Sequence, residues 1–353
     1  MKKETKAEDI TNPQENSTQS SPENEVSQSS KKKWSKKKSI LFWSIGATVS
    51  ICVGAGTGIV LGVVFNGGSV GNYDNINADE YAVNYDELLT KFESSKASDY
   101  STEFTPCEMA NIALKKFYDH DQWIAQGYGS GAASVLGIQV DQQIRSTFIR
   151  KGNEYFEESL SKSSAVKAAW RMYETYENAD STVTQYKGSI NETVYDSSFN
   201  EQDKTVRTRD EYKTHAGRYL DGIPFVYIVS DKCLSKEDQA VTSKIATGVS
   251  KTSAGYTIEL ELDPKITVKN YVVQMQATAD LAGPPSFKFV HLTFKTDLKL
   301  NLISSSNYEK YYAKTAAGAG SNVIGKVTTY YETGKEVSIP KLNEQTQYDT
   351  SKE

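Results

Sequence analysis

Residues 256–262 read YTIELEL, and the alternation there governs how the rest of the chain is read. Tyr256, Ile258, Leu260 and Leu262 fall on one parity, with Thr257, Glu259 and Glu261 on the other. That is the period of two expected of a strand with one buried face. Asp263-Pro264 ends it, because proline has no N–H to give a ladder. Downstream, Tyr271, Val272, Met275 and Ala279 predict a helix packed across a sheet, broken at Gly283-Pro284-Pro285. Residues 286–296, 300–314 and 322–332 then read as three long consecutive strands. Strand after strand with few helices predicts a meandering antiparallel sheet with one face buried.

The upstream half follows the same plan. Thr105-Pro106-Cys107-Glu108 has Thr at the N-cap, Pro at N1 and Glu at N3, a capping box. Met109, Ile112, Ala113 and Phe117 follow at helical spacing. From Trp123 the period changes to two. Ile144–Ile149 and Glu154–Ser161 flank Lys151-Gly152-Asn153 as a hairpin. Trp170, Met172 and Tyr176 mark a next strand, and Val183 with Gln185 a further one. Thr208–Glu211 offers a second capping box before a helix through Tyr219, and Phe225–Ser230 reads as a short apolar strand.

Before the folded domain stands Ser39–Phe65, SILFWSIGATVSICVGAGTGIVLGVVF, with no charged side chain. About 20 apolar residues cross a bilayer core as a helix, so this run predicts a transmembrane signal anchor. Lys31, Lys32, Lys33, Lys36, Lys37 and Lys38 surround Trp34 just before it, as a clamp on an anionic membrane interface or simply a topology signal. The positive-inside rule then puts the N-terminus in the cytoplasm and the larger domain outside the cell. Gly46, Ser50, Gly54, Gly58 and Gly62 recur every four residues, a stripe that permits homodimerisation through the helix, or reflects how common glycine is in membrane spans.

The expected organisation is a disordered tail (1–30), a polybasic segment (31–38), the span (39–65), a linker and stalk (66–104), an α+β domain (105–340) and a second disordered tail (341–353). The expected fold is α+β: a single transmembrane helix, then a curved, half-barrel-like antiparallel sheet with two or three packed helices. Residues 1–38 hold nine Lys against six acids, a sum of +3, so the net −5 leaves −8 on the rest. An acidic outer domain without a basic face argues against nucleic acid or anionic lipid headgroups as its partner. Cys107 and Cys233 lie outside the span, as a disulfide or as two separate buried thiols.

The order of helix, long antiparallel strands and further helices against one face resembles the LolA/LppX-type half-barrel of bacterial envelope lipoproteins, over residues 105–335. The resemblance is one of architecture, with no residue pattern to carry across, and it departs in having a hydrophobic span where that family has a lipidated cysteine. It implies a cradle for acyl chains or another apolar ligand.

Catalytic signals are thin, and no enzyme, cofactor or metal is expected. Asp119-His120-Asp121 could hold a metal but fits a polar helix end. His291 reads as a sheet residue aligned with Phe287 and Phe289. Ser130, in Gly127-Tyr128-Gly129-Ser130-Gly131, lacks the glycine spacing of a nucleophile elbow. Glu157 and Glu158 are consecutive on a strand, so they point to opposite faces. Two readings remain. One is a membrane-anchored envelope protein that binds an apolar or amphipathic ligand such as a lipid through Tyr256, Phe287, Phe289, Tyr311 and Tyr330, which read equally well as plain core. The other is a structural or interaction module that binds protein or wall polymer.

Overall fold

The structure is a computed structural model. It describes residues 69–135, 138–163, 167–177, 182–189, 204–208, 225–235, 247–278, 281–314, 316, 320–340, 344 and 346–352. The alternating segments all pair into one antiparallel sheet of eleven strands among the described residues. These are β1 Gln122–Val135, β2 Ile138–Lys151, β3 Glu154–Ser163, β4 Lys167–Glu177, β5 Thr182–Ser189 and β6 Lys204–Thr208, then β7 Gly248–Lys251, β8 Tyr256–Leu262, β9 Ser286–Thr296, β10 Leu302–Lys314 and β11 Gly320–Thr333. Their order is β6-β5-β4-β3-β2-β1-β11-β10-β9-β8-β7. Two meanders therefore join at the centre, where β1 pairs with β11 from Trp123↔Thr333 to Ser134↔Asn322.

The expected fold class needs correction at its head. No helix among the described residues is long and apolar enough to cross a membrane. The longest, Pro106–Tyr118, has 13 residues and carries Lys115 and Lys116 in its last turn. At 1.5 Å per residue it reaches about 20 Å, against a hydrocarbon core of about 30 Å. The fold is an eleven-stranded antiparallel sheet with short helices. The stretch Ser39–Phe65, its small-residue stripe and the lysines around Trp34 lie outside the described residues, as do the expected helix through Tyr219 and His215.

Among the described residues four α-helices accompany the sheet: α1 Tyr85–Ser94, α2 Pro106–Tyr118, the single turn α3 Pro264–Thr267 and α4 Lys269–Thr278. The capping box of α2 forms as expected, with Thr105 and Glu108 satisfying each other's backbone N–H groups. Asp263-Pro264, expected only to stop β8, also starts α3, with Asp263 as N-cap and Pro at its first turn. The hairpin of β2 and β3 turns at Gly152, whose φ is +57°, a left-handed conformation that glycine adopts without strain.

One face of the sheet, here the inner face, packs against α2 and α4. Leu260 and Leu262 of β8, Val290, Leu292 and Phe294 of β9, and Met109, Ile112 and Leu114 of α2 are all buried in one core. Gly127 and Gly129 of β1 point toward the same side. A Cβ on Gly129 would lie 2.4 Å from the Lys326 carbonyl oxygen, and one on Gly127 would lie 2.4 Å from Ser146 Oγ. Glycine at these positions therefore lets β1 approach β2 and β11 more closely than a side chain would allow.

Candidate functional site

Pleat parity and register decide which residues face the helices. On β10, Ser305, Asn307 and Glu309 oppose Phe294, Leu292 and Val290 of β9, all of them inner-face core. The register then slips between Lys310 and Tyr311, where Lys310 opposes Phe289 but Tyr311 opposes Phe287. This β-bulge reverses the side of one residue relative to simple alternation. Phe287 and Tyr311 therefore face inward, with ring centroids 4.7 Å apart. Phe289 and His291 face outward with Tyr308. The expected alignment of His291 with both phenylalanines thus holds for Phe289 alone.

The five expected ligand-facing residues are split accordingly. Tyr256, Phe287 and Tyr311 are buried in the inner core, and the Tyr256 hydroxyl accepts a hydrogen bond from the Tyr100 backbone N–H at 3.1 Å. Phe289 is buried on the outer face. Tyr330 also lies outside, edge-on to Tyr128 at 6.1 Å. The structure does not bring them together into one wall.

What it gathers is a polar group that the sequence reading passed over. Glu309 sits in the middle of β10 and is fully buried. The Tyr227 hydroxyl donates to its Oε2 at 2.6 Å, and the Tyr271 hydroxyl lies 3.4 Å from Oε1. Asn307 Nδ2 donates to the Tyr227 hydroxyl at 3.2 Å. Around this cluster run Phe294, Phe225, Tyr227, Tyr271, Phe287 and Tyr311, each ring 4.7–5.7 Å from the next. Taking a carboxylate from water into such surroundings disfavours its charged form. Burial lifts the Glu309 carboxyl to about 8, opposed by the hydrogen bonds from the two tyrosines. Parity was the available signal: Glu309 and Asn307 lie two and four residues before Tyr311, which alternation places on one face.

Tyr227 comes from a segment expected to be a strand. Residues 225–230 belong to no strand or helix; they are held by donors from α2 and α3. Thr267 Oγ1 donates to the Ile228 carbonyl, the Ile228 N–H donates to the Thr267 carbonyl, and Asn111 Nδ2 donates to the Val229 carbonyl, each at 2.8 Å. The segment then passes along the margin of β8, where Leu234 bridges Leu262 and the Ser235 N–H donates to the Glu261 carbonyl at 2.9 Å. This path follows from the topology. β6 and β7 lie at opposite edges, so residues 209–247 must connect one edge to the other, and their described part lies on the inner face.

Cys107 and Cys233 are not bonded to each other; both thiols are buried. Burial, and then Asp231, push the Cys107 thiol well above its usual range, while burial and Asp263 push Cys233 up to about 12. Glu157 and Glu158 do diverge: Tyr155 donates to the first at 3.1 Å, and Tyr348 donates to the second at 2.8 Å. Asp119 pairs with Lys115, and the Asp121 carbonyl accepts from the Gly152 N–H at 2.8 Å. Among the described residues no three or more His, Cys, Asp or Glu side chains group as a metal site. Ser130 lies within β1, not on a strand-to-helix turn.

No family model matches the chain, and no curated protein matches it. Solved structures similar to it include an outer membrane lipoprotein-sorting protein domain from Vibrio parahaemolyticus, at 12% identity and a TM-score of 0.23, covering 65% of this chain and 93% of that one. A DUF1329 family protein from Desulfovibrio piger matches at 11% identity and a TM-score of 0.23, covering 67% of this chain and 95% of that one.

Proposed function

We propose that the chain is a non-enzymatic binding protein that holds an apolar or amphipathic ligand, such as a lipid, on the inner face of its sheet. The observation that carries this reading is the Glu309 cluster: one buried polar group within a belt of six aromatic rings, covered by a segment outside the regular structure. Ligand sites are mostly apolar surfaces with a few placed polar groups. Lifting residues 225–230 away would expose such a surface, with Tyr227 leaving the place that a ligand's polar end would take. The aromatic core seen here is then the closed form.

Binding through an exposed apolar patch or a free sheet edge has less support among the described residues. The exposed large apolar side chains Val70, Val206, Val273, Leu298 and Ile303 are spread over separate elements, which is ordinary for a protein surface. The margin of β8 beyond the four-residue strand β7 is covered by Leu234 and Ser235, so it offers little free edge for strand addition.

Titration of the full chain with a fluorescent fatty-acyl probe tests the proposal. Tyr227→Ala should loosen the covering segment and raise probe affinity, while Tyr348→Ala on the outer face should leave it unchanged. Absence of probe binding by both the natural chain and a folded Tyr227→Ala variant would overturn it.

A further inference from the structure

Residues 346–352 lie against the outer face of β1–β3, although they read as an unstructured polar stretch. The attachment is concentrated on Tyr348. Its hydroxyl donates to Glu158 Oε1 at 2.8 Å, and Glu158 is fully buried. The Arg145 guanidinium stands 5.7 Å over its ring, and the Tyr128 ring meets it edge-on at 6.3 Å. Gln126 Nε2 also donates to the Gln347 carbonyl at 2.8 Å, and Lys352 Nζ stands 4.9 Å over the Tyr330 ring.

Three features of this contact belong to recognition and not to core packing. The stretch TQYDTSK has no large apolar residue besides the tyrosine, and it buries the polar Thr346, so apolar burial alone fixes it weakly. A buried carboxylate needs hydrogen-bond donors, and Glu158 takes one from a phenol, which a phenylalanine could not supply. The fit is also incomplete: a cleft of about 60 Å³ remains between Ile124, Tyr128 and Tyr330 of the sheet and Asp349 and Lys352 of the segment.

We propose that the outer face of β1–β3 is a recognition site for an extended polypeptide segment presenting a tyrosine, and that residues 346–352 are its occupant within this chain. A partner segment displaces them by placing its own tyrosine between Arg145 and Tyr128, with its hydroxyl on Glu158. Larger side chains after that tyrosine would fill the cleft.

The test uses the full chain and a labelled peptide of residues 344–353, EQTQYDTSKE, followed by fluorescence anisotropy. The Tyr348→Ala chain, its own occupant weakened, should bind the peptide at least about tenfold more tightly than the natural chain does. Replacing the peptide's tyrosine by phenylalanine should weaken binding about tenfold, through loss of one charge-assisted hydrogen bond. Tyr348→Phe in the full chain, which keeps the ring, serves as a second release variant if the alanine chain does not fold. Equal binding by natural and released chains, no binding by either, or a phenylalanine peptide as good as the tyrosine peptide would each overturn the proposal.

Discussion

Glu309 makes the stability of this protein depend on pH in an unusual direction, and Glu309→Gln should abolish that dependence. Burial lifts the carboxyl from its ordinary 4.5 to about 8. Between those values the native state holds a proton that the unfolded chain has released. Stability from this group is therefore fully present below pH 4.5 and is lost as pH rises toward 8, with a slope of about 1.4 kcal/mol per pH unit. Across the interval from 4.5 to about 8 the loss comes to about 5 kcal/mol, of which about 3 kcal/mol is already gone at pH 7. That is a large share of the roughly 5–15 kcal/mol that typically separates folded from unfolded states. Glutamine keeps a carbonyl oxygen to accept from Tyr227 and cannot ionise. Urea unfolding of both chains at pH 5, 7 and 9 should give nearly equal stability at pH 5 and a gap in favour of the variant that widens to several kcal/mol at pH 9. Glu309→Ala, which leaves the Tyr227 hydroxyl without its acceptor, should cost about 1–3 kcal/mol even at pH 5. Parallel curves for the natural chain and the Glu309→Gln variant across that range would refute the reasoning.

Three other expectations follow from buried groups and from the close approach at Gly129. His291 is buried between Phe289 and Tyr308, with Nδ1 3.4 Å from Glu261 Oε2, and burial holds it below its ordinary 6.5. Its contribution is complete above pH 6.5 and is lost as pH falls below it, since only the unfolded chain then takes the proton; His291→Phe should flatten that acid limb in thermal melts. Cys107 and Cys233, both buried with raised pKa, should resist thiol reagents in the native protein and react together on unfolding; labelling of either at the same rate in native and unfolded chains would contradict this. Gly129→Ala forces a Cβ to within 2.5 Å of both the Lys326 carbonyl oxygen and Val327 Cγ2, and should lower the denaturation midpoint by the equivalent of about 1–3 kcal/mol.

The parts of the fold that sequence discloses are those decided by neighbours along the chain. The capping box at Thr105 and Glu108, the turn at Gly152 and the alternation of Tyr256–Leu262 each depend on a few adjacent residues, and each appears in the structure. Phe225–Ser230 misleads because its apolar residues are buried by α2, α3 and α4 and not by strand pairing, a tertiary context that composition cannot signal. The segment at Tyr348 looks unstructured because it carries one anchor, and the acceptor for that anchor lies 190 residues away. Phe287 and Phe289 look like residues of one face, and only the register slip opposite Lys310 and Tyr311 separates them.

That slip also places the candidate site. Without it, strict alternation would put Phe287 outside with Phe289, and the ring belt would be open beside Tyr271 and Tyr311. With it, Phe287 bridges those two tyrosines, and the row of rings runs unbroken past Tyr227 and Tyr271, which meet Glu309. The three rings that do not come from the sheet reach the inner face by two routes: Tyr271 from α4, and Phe225 and Tyr227 from the connection between β6 and β7. A sheet built of two meanders joined at β1 and β11 has its outermost strands, β6 and β7, joined in sequence, and the described residues 225–235 of that connection reach the inner face. Its described part meets β9 and β10, where Phe225 packs on Phe294 and Tyr227 donates to Glu309. The binding reading rests on a carboxyl buried among aromatic rings and covered by residues 225–230, which is why Glu309 and Tyr227 are the residues to alter first.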